Sequence, residues 1–158
     1  MLLPRIYVDT SVIGGCFDDE FEDASRRLFD QSQAGDSIIV ISDLTLLELQ
    51  GAPEQVQAVL DSVPDAFFEE VIFTAEASEL AERYLAAGVV GEANRTDARH
   101  IATATVHHVT VLVSWNLRHI VNLNRIHGYN SVNIRYGYAM LEIRTPREVI
   151  GNGNGEEV

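Results

Sequence analysis

Arg5-Ile6-Tyr7-Val8-Asp9 is a short run of strand-forming residues closed by a carboxylate. Two later runs have the same character. Ser37-Ile38-Ile39-Val40-Ile41 lies between Gly35-Asp36 and Ser42-Asp43, and Val109-Thr110-Val111-Leu112-Val113 is apolar or β-branched throughout. None of the three alternates apolar with polar, so none has a wet face. Strands of this kind are buried on both sides, as in a parallel sheet covered by helices. A fourth strand is expected at Phe68 to Phe73 or near Met140 to Ile143.

Working outward, helical patterns fill the gaps. Asp23 to Ala34 turns Ala24, Leu28 and Phe29 toward a core. Ser42 or Asp43 is a suitable N-cap for a helix through Leu44, Leu47 and Leu49, ended by Gly51. Pro53 can open the next helix, with Val56, Val59 and Leu60 inward. Ala75 to Ala87 reads as another, closing at Gly88. Thr96 is expected to cap a helix from Asp97 to about His107, with Ala98, Ile101, Ala102 and Thr105 on its inner face. These elements imply one α/β domain over residues 1–150, with a central, mostly parallel β-sheet and helices on both faces. Residues 151–158, which include Gly151-Asn152-Gly153-Asn154-Gly155, have nothing to pack and are expected to be a disordered tail.

Composition narrows the class. At 158 residues the chain is long enough to build a core without staples. No apolar run approaches the ~18 residues that span a bilayer. Met1-Leu2-Leu3-Pro4-Arg5 lacks the charged and apolar regions of a secretory signal, and the single cysteine, Cys16, has no internal disulfide partner; a cytoplasmic location is expected. The net charge of −13 is unevenly spread: residues 1–94 carry 19 acids and 4 arginines, while residues 95–158 carry 5 acids, 7 arginines and all five histidines. The acidic total repels phosphates, so binding nucleic acid would require cations at the site and a basic surface from the second half.

Three acids stand in unusual places. Asp9 ends an apolar strand, at the sheet edge where open α/β folds bind ligands. Glu48 interrupts the apolar Leu44-Thr45-Leu46-Leu47-Glu48-Leu49. Asp97 falls in the first turn of its helix, where the backbone dipole favours a negative group. Taken singly, each has an ordinary structural explanation as a turn residue, an exposed helix position or a cap.

Together they form a pattern that resembles the PIN-domain family, over nearly the whole chain except the tail. The resemblance rests on four pieces in order: Tyr7-Val8-Asp9-Thr10-Ser11-Val12-Ile13, Leu46-Leu47-Glu48-Leu49, Thr96-Asp97-Ala98-Arg99-His100-Ile101-Ala102-Thr103-Ala104, and Val111-Leu112-Val113-Ser114-Trp115-Asn116. It implies an endoribonuclease using Mg²⁺ or Mn²⁺, with Asp9, Glu48 and Asp97 as the catalytic, metal-holding acids and Thr10, Ser11 and Ser114 as supporting polar groups. Small bacterial members of that family resemble VapC toxins, so the resemblance also implies an RNA substrate, a cognate antitoxin and a homodimer. The chemistry suits the residues. Hard divalent cations prefer oxygen ligands, and a bound cation acidifies water and offsets charge on the phosphate. Three carboxylates packed together without a cation are expected to raise one another's pKa values.

One position departs from the family. Many PIN domains have a fourth acid where this chain has Asn116, so a site with one firmly bound cation and a weaker second is expected. The same departure leaves an alternative, a catalytically weak or inactive PIN-like module for RNA binding or assembly. A phosphatase with Asp9 as phosphoryl acceptor is disfavoured, because the chain has no lysine and Ser11 stands where a second Asp is required. The metal chemistry alone leaves single-stranded DNA open as a substrate. Arg95, Arg99 and Arg118 are candidate phosphate contacts and His119 a candidate substrate contact. His100 and His107 share a helix face without any zinc-like spacing, and are read as structural or surface residues. Trp115 is read as packing rather than as a platform for a base.

Overall fold

A computed structural model describes residues 2–150; the expected disordered tail lies outside the described residues. Its five strands are β1 (Arg5–Val8), β2 (Ile38–Ser42), β3 (Phe68–Val71), β4 (Val111–Val113) and β5 (Ile143–Arg144). They form one sheet in the order β3-β2-β1-β4-β5, with every pairing parallel. Both candidate positions for a fourth strand are used, one at each edge. The helices are α1 (Thr10–Gly15), α2 (Glu22–Gln33), α3 (Asp43–Leu49), α4 (Glu54–Asp61), α5 (Ala75–Ala86), α6 (Arg95–Val106), α7 (Leu123–Arg135) and α8 (Pro146–Val149).

The unalternating strands are buried on both faces, as their composition requires. Because successive side chains point to opposite sides, Ile6, Val8, Ile39, Ile41, Val111 and Val113 join one core with Val12 and Ile13 of α1, Leu28 and Phe29 of α2, and Leu60 of α4. Tyr7, Val40 and Leu112 join the other with Leu80 and Tyr84 of α5, Ile101 of α6, and Tyr129 and Val132 of α7. Among the described residues no helix is long and apolar enough to cross a membrane.

The topology dictates where a ligand site can form. From β1 the chain builds outward through β2 to β3, then returns to place β4 on β1's other side. The connections therefore leave β1 and β4 in opposite directions, and a crevice opens beyond their carboxyl ends. Asp9 follows β1 directly, and Ser114 follows β4.

Local sequence explains where the elements differ from expectation. The helix that carries Asp97 starts at Arg95 with Asn94 as its N-cap, rather than at a Thr96 cap, because a 3₁₀ turn over Glu92–Asn94 leads straight into it. Asp97 stays in the first turn. Three helices, α1, α7 and the four-residue α8, lack a clear periodic signal. In α1, Thr-Ser-Val-Ile-Gly-Gly has poor intrinsic propensity; it is held by an Asp9 cap and by the burial of Val12 and Ile13. In α7, three asparagines and Gly128 weaken the pattern, but Asn122 caps the first turn by accepting from the N–H groups of Asn124 and Arg125.

Gly15 is fixed by packing. A Cβ there would lie 2.6 Å from Ser25 Oγ and 2.8 Å from Trp115 Nε1, on top of the hydrogen bond that Trp115 donates to Ser25. Gly15→Ala is expected to destabilise the protein by about 1–3 kcal/mol, the usual cost of overpacking. Urea unfolding followed by Trp115 fluorescence measures this, and an unchanged midpoint would contradict it.

Candidate active site

The site begins with Asp9, which the end of β1 delivers to the crevice and which α1 then uses as its cap. Its Oδ1 accepts from the Ser11 hydroxyl at 2.6 Å and from the Val12 N–H at 3.3 Å. Its Oδ2 accepts from the Ser114 hydroxyl, also at 2.6 Å. The serines are in turn oriented by the segment after β4: Trp115 N–H donates to Ser11 Oγ and Asn116 N–H to Ser114 Oγ, each at 2.9 Å. Asp9 is only 6% exposed. Burial pushes its carboxyl above the ordinary aspartate range, against the opposing pull of Ser11 and Ser114.

Asp97 approaches from the first turn of α6. Burial raises its pKa, and the negative charges of Asp9 and Glu48 add to the rise, while His100 and His119 work against it. Among the described residues neither Asp9 nor Asp97 forms a salt bridge.

Glu48 behaves differently from its two neighbours. Burial works to raise its pKa, but the hydrogen bond and charge of His100, with help from Thr10, more than offset that and leave it lowered. Thr10 donates to Glu48 Oε1 at 2.5 Å, and His100 Nε2 lies 3.0 Å from the same oxygen. The expectation that three crowded carboxylates all rise is therefore corrected for Glu48, which has donors of its own. His100, expected to be a structural or surface residue, is a buried one. It is 2% exposed and reaches the site because it stands three positions after Asp97, on the same helix face. That spacing was the available signal for it.

Asn116 closes the arrangement. Its Oδ1 accepts from the backbone N–H groups of Arg118 (3.2 Å) and His119 (3.0 Å), so its Nδ2 is left to donate to Asp97 Oδ2 at 3.3 Å. The fourth acidic position of the pattern is thus a hydrogen-bond donor here. Among the candidate cations, Arg95 is tied to Glu82 and Glu92. Arg99 lies over the Phe73 ring, and Arg118 is exposed; neither forms a salt bridge among the described residues. His119 has a buried Nδ1 without a hydrogen-bond partner. Trp115 stacks on Phe21 at 4.2 Å and is 7% exposed, which is a packing role.

The donor chemistry fits a hard cation: carboxylate oxygens, two of them on acids without a basic partner, beside neutral hydroxyls. The side chains as they stand are not drawn into a closed shell; among the described residues no three His, Cys, Asp or Glu side chains are grouped as a metal site. Ser11 and Ser114 hold Asp9, and His100 and Thr10 hold Glu48.

The sequence profile of the PIN domain matches residues 6–120. No curated protein sequence matches the chain. Similar solved structures include VapC20 of Mycobacterium tuberculosis, a Sarcin-Ricin loop cleaving toxin, at 16% identity and TM-score 0.53, covering 72% of this chain and 91% of that one. VapBC2 from Rickettsia felis, bound to a fragment of its promoter DNA, gives 17% identity and TM-score 0.56, covering 89% and 98%. DNA-bound VapBC from Salmonella typhimurium gives 20% identity and TM-score 0.53, covering 92% and 99%. At these identities the likeness is one of fold.

The raised pKa of Asp97 has a sign that can be tested. An acid whose folded pKa exceeds its unfolded value favours the folded state below the unfolded pKa and loses that contribution as pH rises through the folded one. In the metal-free protein Asp97→Asn should therefore melt higher than wild type at pH 7.5, by no more than about 2–4 °C, since water screens part of the charge at this half-open position. The difference should shrink as the pH falls toward 4. Thermal melts in chelator at both pH values decide it; a variant that melts lower at pH 7.5 refutes the assignment.

Proposed function

The chain belongs to the PIN-domain family, and from that premise we propose that it is a divalent-metal-dependent endoribonuclease, the toxin half of a toxin–antitoxin pair. The observation that carries this reading is the buried Asp9 at the switch point of the sheet. Among the described residues it has no salt-bridge partner, and a second acid, Asp97, shares its field. Two such carboxylates destabilise the empty site unless a cation neutralises them.

Asp9, Asp97 and Glu48 would hold Mg²⁺ or Mn²⁺. When bound, the ion supplies an acidified water and offsets the charge that develops on the scissile phosphate. The chain's own groups do the rest. Ser11 and Ser114 hold both oxygens of Asp9 in place, so that its charge stays at the crevice. Asn116 fixes Asp97 through its amide and, by carrying no charge, leaves the site one acid short. With its oxygen committed to the turn over Arg118 and His119, Asn116 favours one tightly held cation over two. Arg118 and Arg99 are the arginines best suited to phosphate contacts, Arg95 being neutralised by Glu82 and Glu92. His119, half-buried beside Asn116 and Arg118, is the candidate for a contact to a substrate group.

An RNA substrate is favoured over DNA by the toxin-like neighbour that cleaves the Sarcin-Ricin loop. An antitoxin is favoured by the two neighbours that are toxin–antitoxin complexes. Leu47, which precedes Glu48 on α3, and Leu117, which follows Asn116, are exposed, and apolar surface of this kind suits a protein partner. A homodimer and a cytoplasmic location belong to the same proposal. The second reading, an inactive RNA-binding module, has Asn116 as its specific support.

One set of assays separates the two. Purified protein should cleave single-stranded RNA with Mn²⁺ or Mg²⁺ and lose the activity in chelator. Asp9→Asn or Asp97→Asn should cost at least the roughly 10–100-fold that loss of even an outer partner costs at a metal site. Calorimetry with Mn²⁺ should give one tight site, and a second should appear in Asn116→Asp. RNA binding without cleavage in any divalent ion favours the inactive module, and two equally tight wild-type sites contradict the role given to Asn116.

A further inference from the structure

Behind Glu48 runs a line of hydrogen bonds that the reaction as described does not use. Ser42 Oγ lies 2.7 Å from the Tyr7 hydroxyl, and the Tyr7 hydroxyl lies 2.7 Å from His100 Nδ1. His100 Nε2 then lies 3.0 Å from Glu48 Oε1. Ser42, Tyr7 and His100 are all buried, at 0%, 0% and 2% exposure. Tyr7 sits in β1 two residues before Asp9. Ser42 ends β2 and is the N-cap residue of α3, the helix that carries Glu48, and His100 is on α6. The line therefore ties together the three elements that supply the acids.

With a neutral imidazole, one set of proton positions satisfies every contact. Ser42 donates to the Tyr7 oxygen, Tyr7 donates to Nδ1, and the ring proton on Nε2 is given to Glu48. Thr10 donates to the same Glu48 oxygen from the opposite side of the sequence. Oε1 is thereby doubly occupied, while Oε2 has no hydrogen-bond partner among the described residues.

We propose that His100 is a positioning residue for the nuclease site: backed by Tyr7 and Ser42, it holds Oε1 of Glu48 and leaves Oε2 as the oxygen that faces the cation or its water. This rests on the reading of Glu48 as part of a metal-dependent site. Partners of this kind orient the groups that bind a metal without touching it, and their loss weakens metal affinity by about 10–100-fold. A merely space-filling histidine would have no such effect.

The test has a metal-free arm and a metal arm. Long-range ¹H–¹⁵N spectra of the metal-free protein at a pH where the ring is neutral should show the His100 proton on Nε2. The preference should relax in Tyr7→Phe, which keeps the buried ring and removes the donor. Mn²⁺ calorimetry should then show about 10-fold weaker binding in His100→Asn, whose amide stops short of Glu48. His100→Gln extends an N–H about as far as Nε2 does and should stay within about 3-fold of wild type. If His100→Asn does not fold, Tyr7→Phe serves in its place and should also bind Mn²⁺ more weakly. A neutral ring with its proton on Nδ1 overturns the proposal whatever the metal does. So does wild-type affinity in a folded His100→Asn, or a His100→Gln no better than the Asn variant. Wild-type protein with the proton on Nε2 and no Mn²⁺ binding supports the hydrogen-bonded line and overturns the metal-dependent reading alone.

Discussion

The carboxylate of Asp9, wedged between the hydroxyls of Ser11 and Ser114, is the contact from which the site is assembled. It is a costly group to bury. Such a charge is tolerated only where hydrogen-bond donors surround it or a counter-charge arrives. The fold supplies the donors from two places far apart in sequence, the first turn of α1 and the end of β4. The same carboxylate caps α1, a helix whose own residues would not sustain it. Local stability and site geometry are thus met by one side chain.

Around that contact the charges are sorted by element. β1, α3 and α6 bring acids to the crevice, and the acid from α6 stands where the helix dipole favours it. Each acid has different company. Asp9 has hydroxyls, Glu48 has an imidazole and a hydroxyl, and Asp97 has an amide. Their proton affinities diverge accordingly, with Glu48 moving opposite to the aspartates.

How much of this was legible in the sequence varied by element. The three central strands could be read because each is a short, β-branched run with two apolar faces, the mark of a strand buried on both sides. Asp9 and Asp97 were legible as acids where a strand or helix boundary made a carboxylate conspicuous. The short α1 and the asparagine-rich α7 were not, because tertiary packing and caps stabilise them against weak propensity. His100 was hidden for another reason. Its i, i+3 relation to Asp97 was visible, but its value depends on Tyr7 and Glu48, which are 93 and 52 residues away. Arg95 stood in the right stretch of sequence with Glu92 three residues before it, but its other partner, Glu82, is brought to it by the fold.

The placement of β4 beside β1 also bears on synthesis. Asp9 and Ser114 are separated by 105 residues, and the strands that deliver them pair directly. Contacts so distant along the chain form late, since the intervening loop must first be closed. A nascent polypeptide emerging from the ribosome has made Asp9 long before it makes Ser114. The pocket around Asp9 is therefore completed only once β4 and Ser114 have been made, and until then that carboxylate lacks one of its two hydroxyl donors.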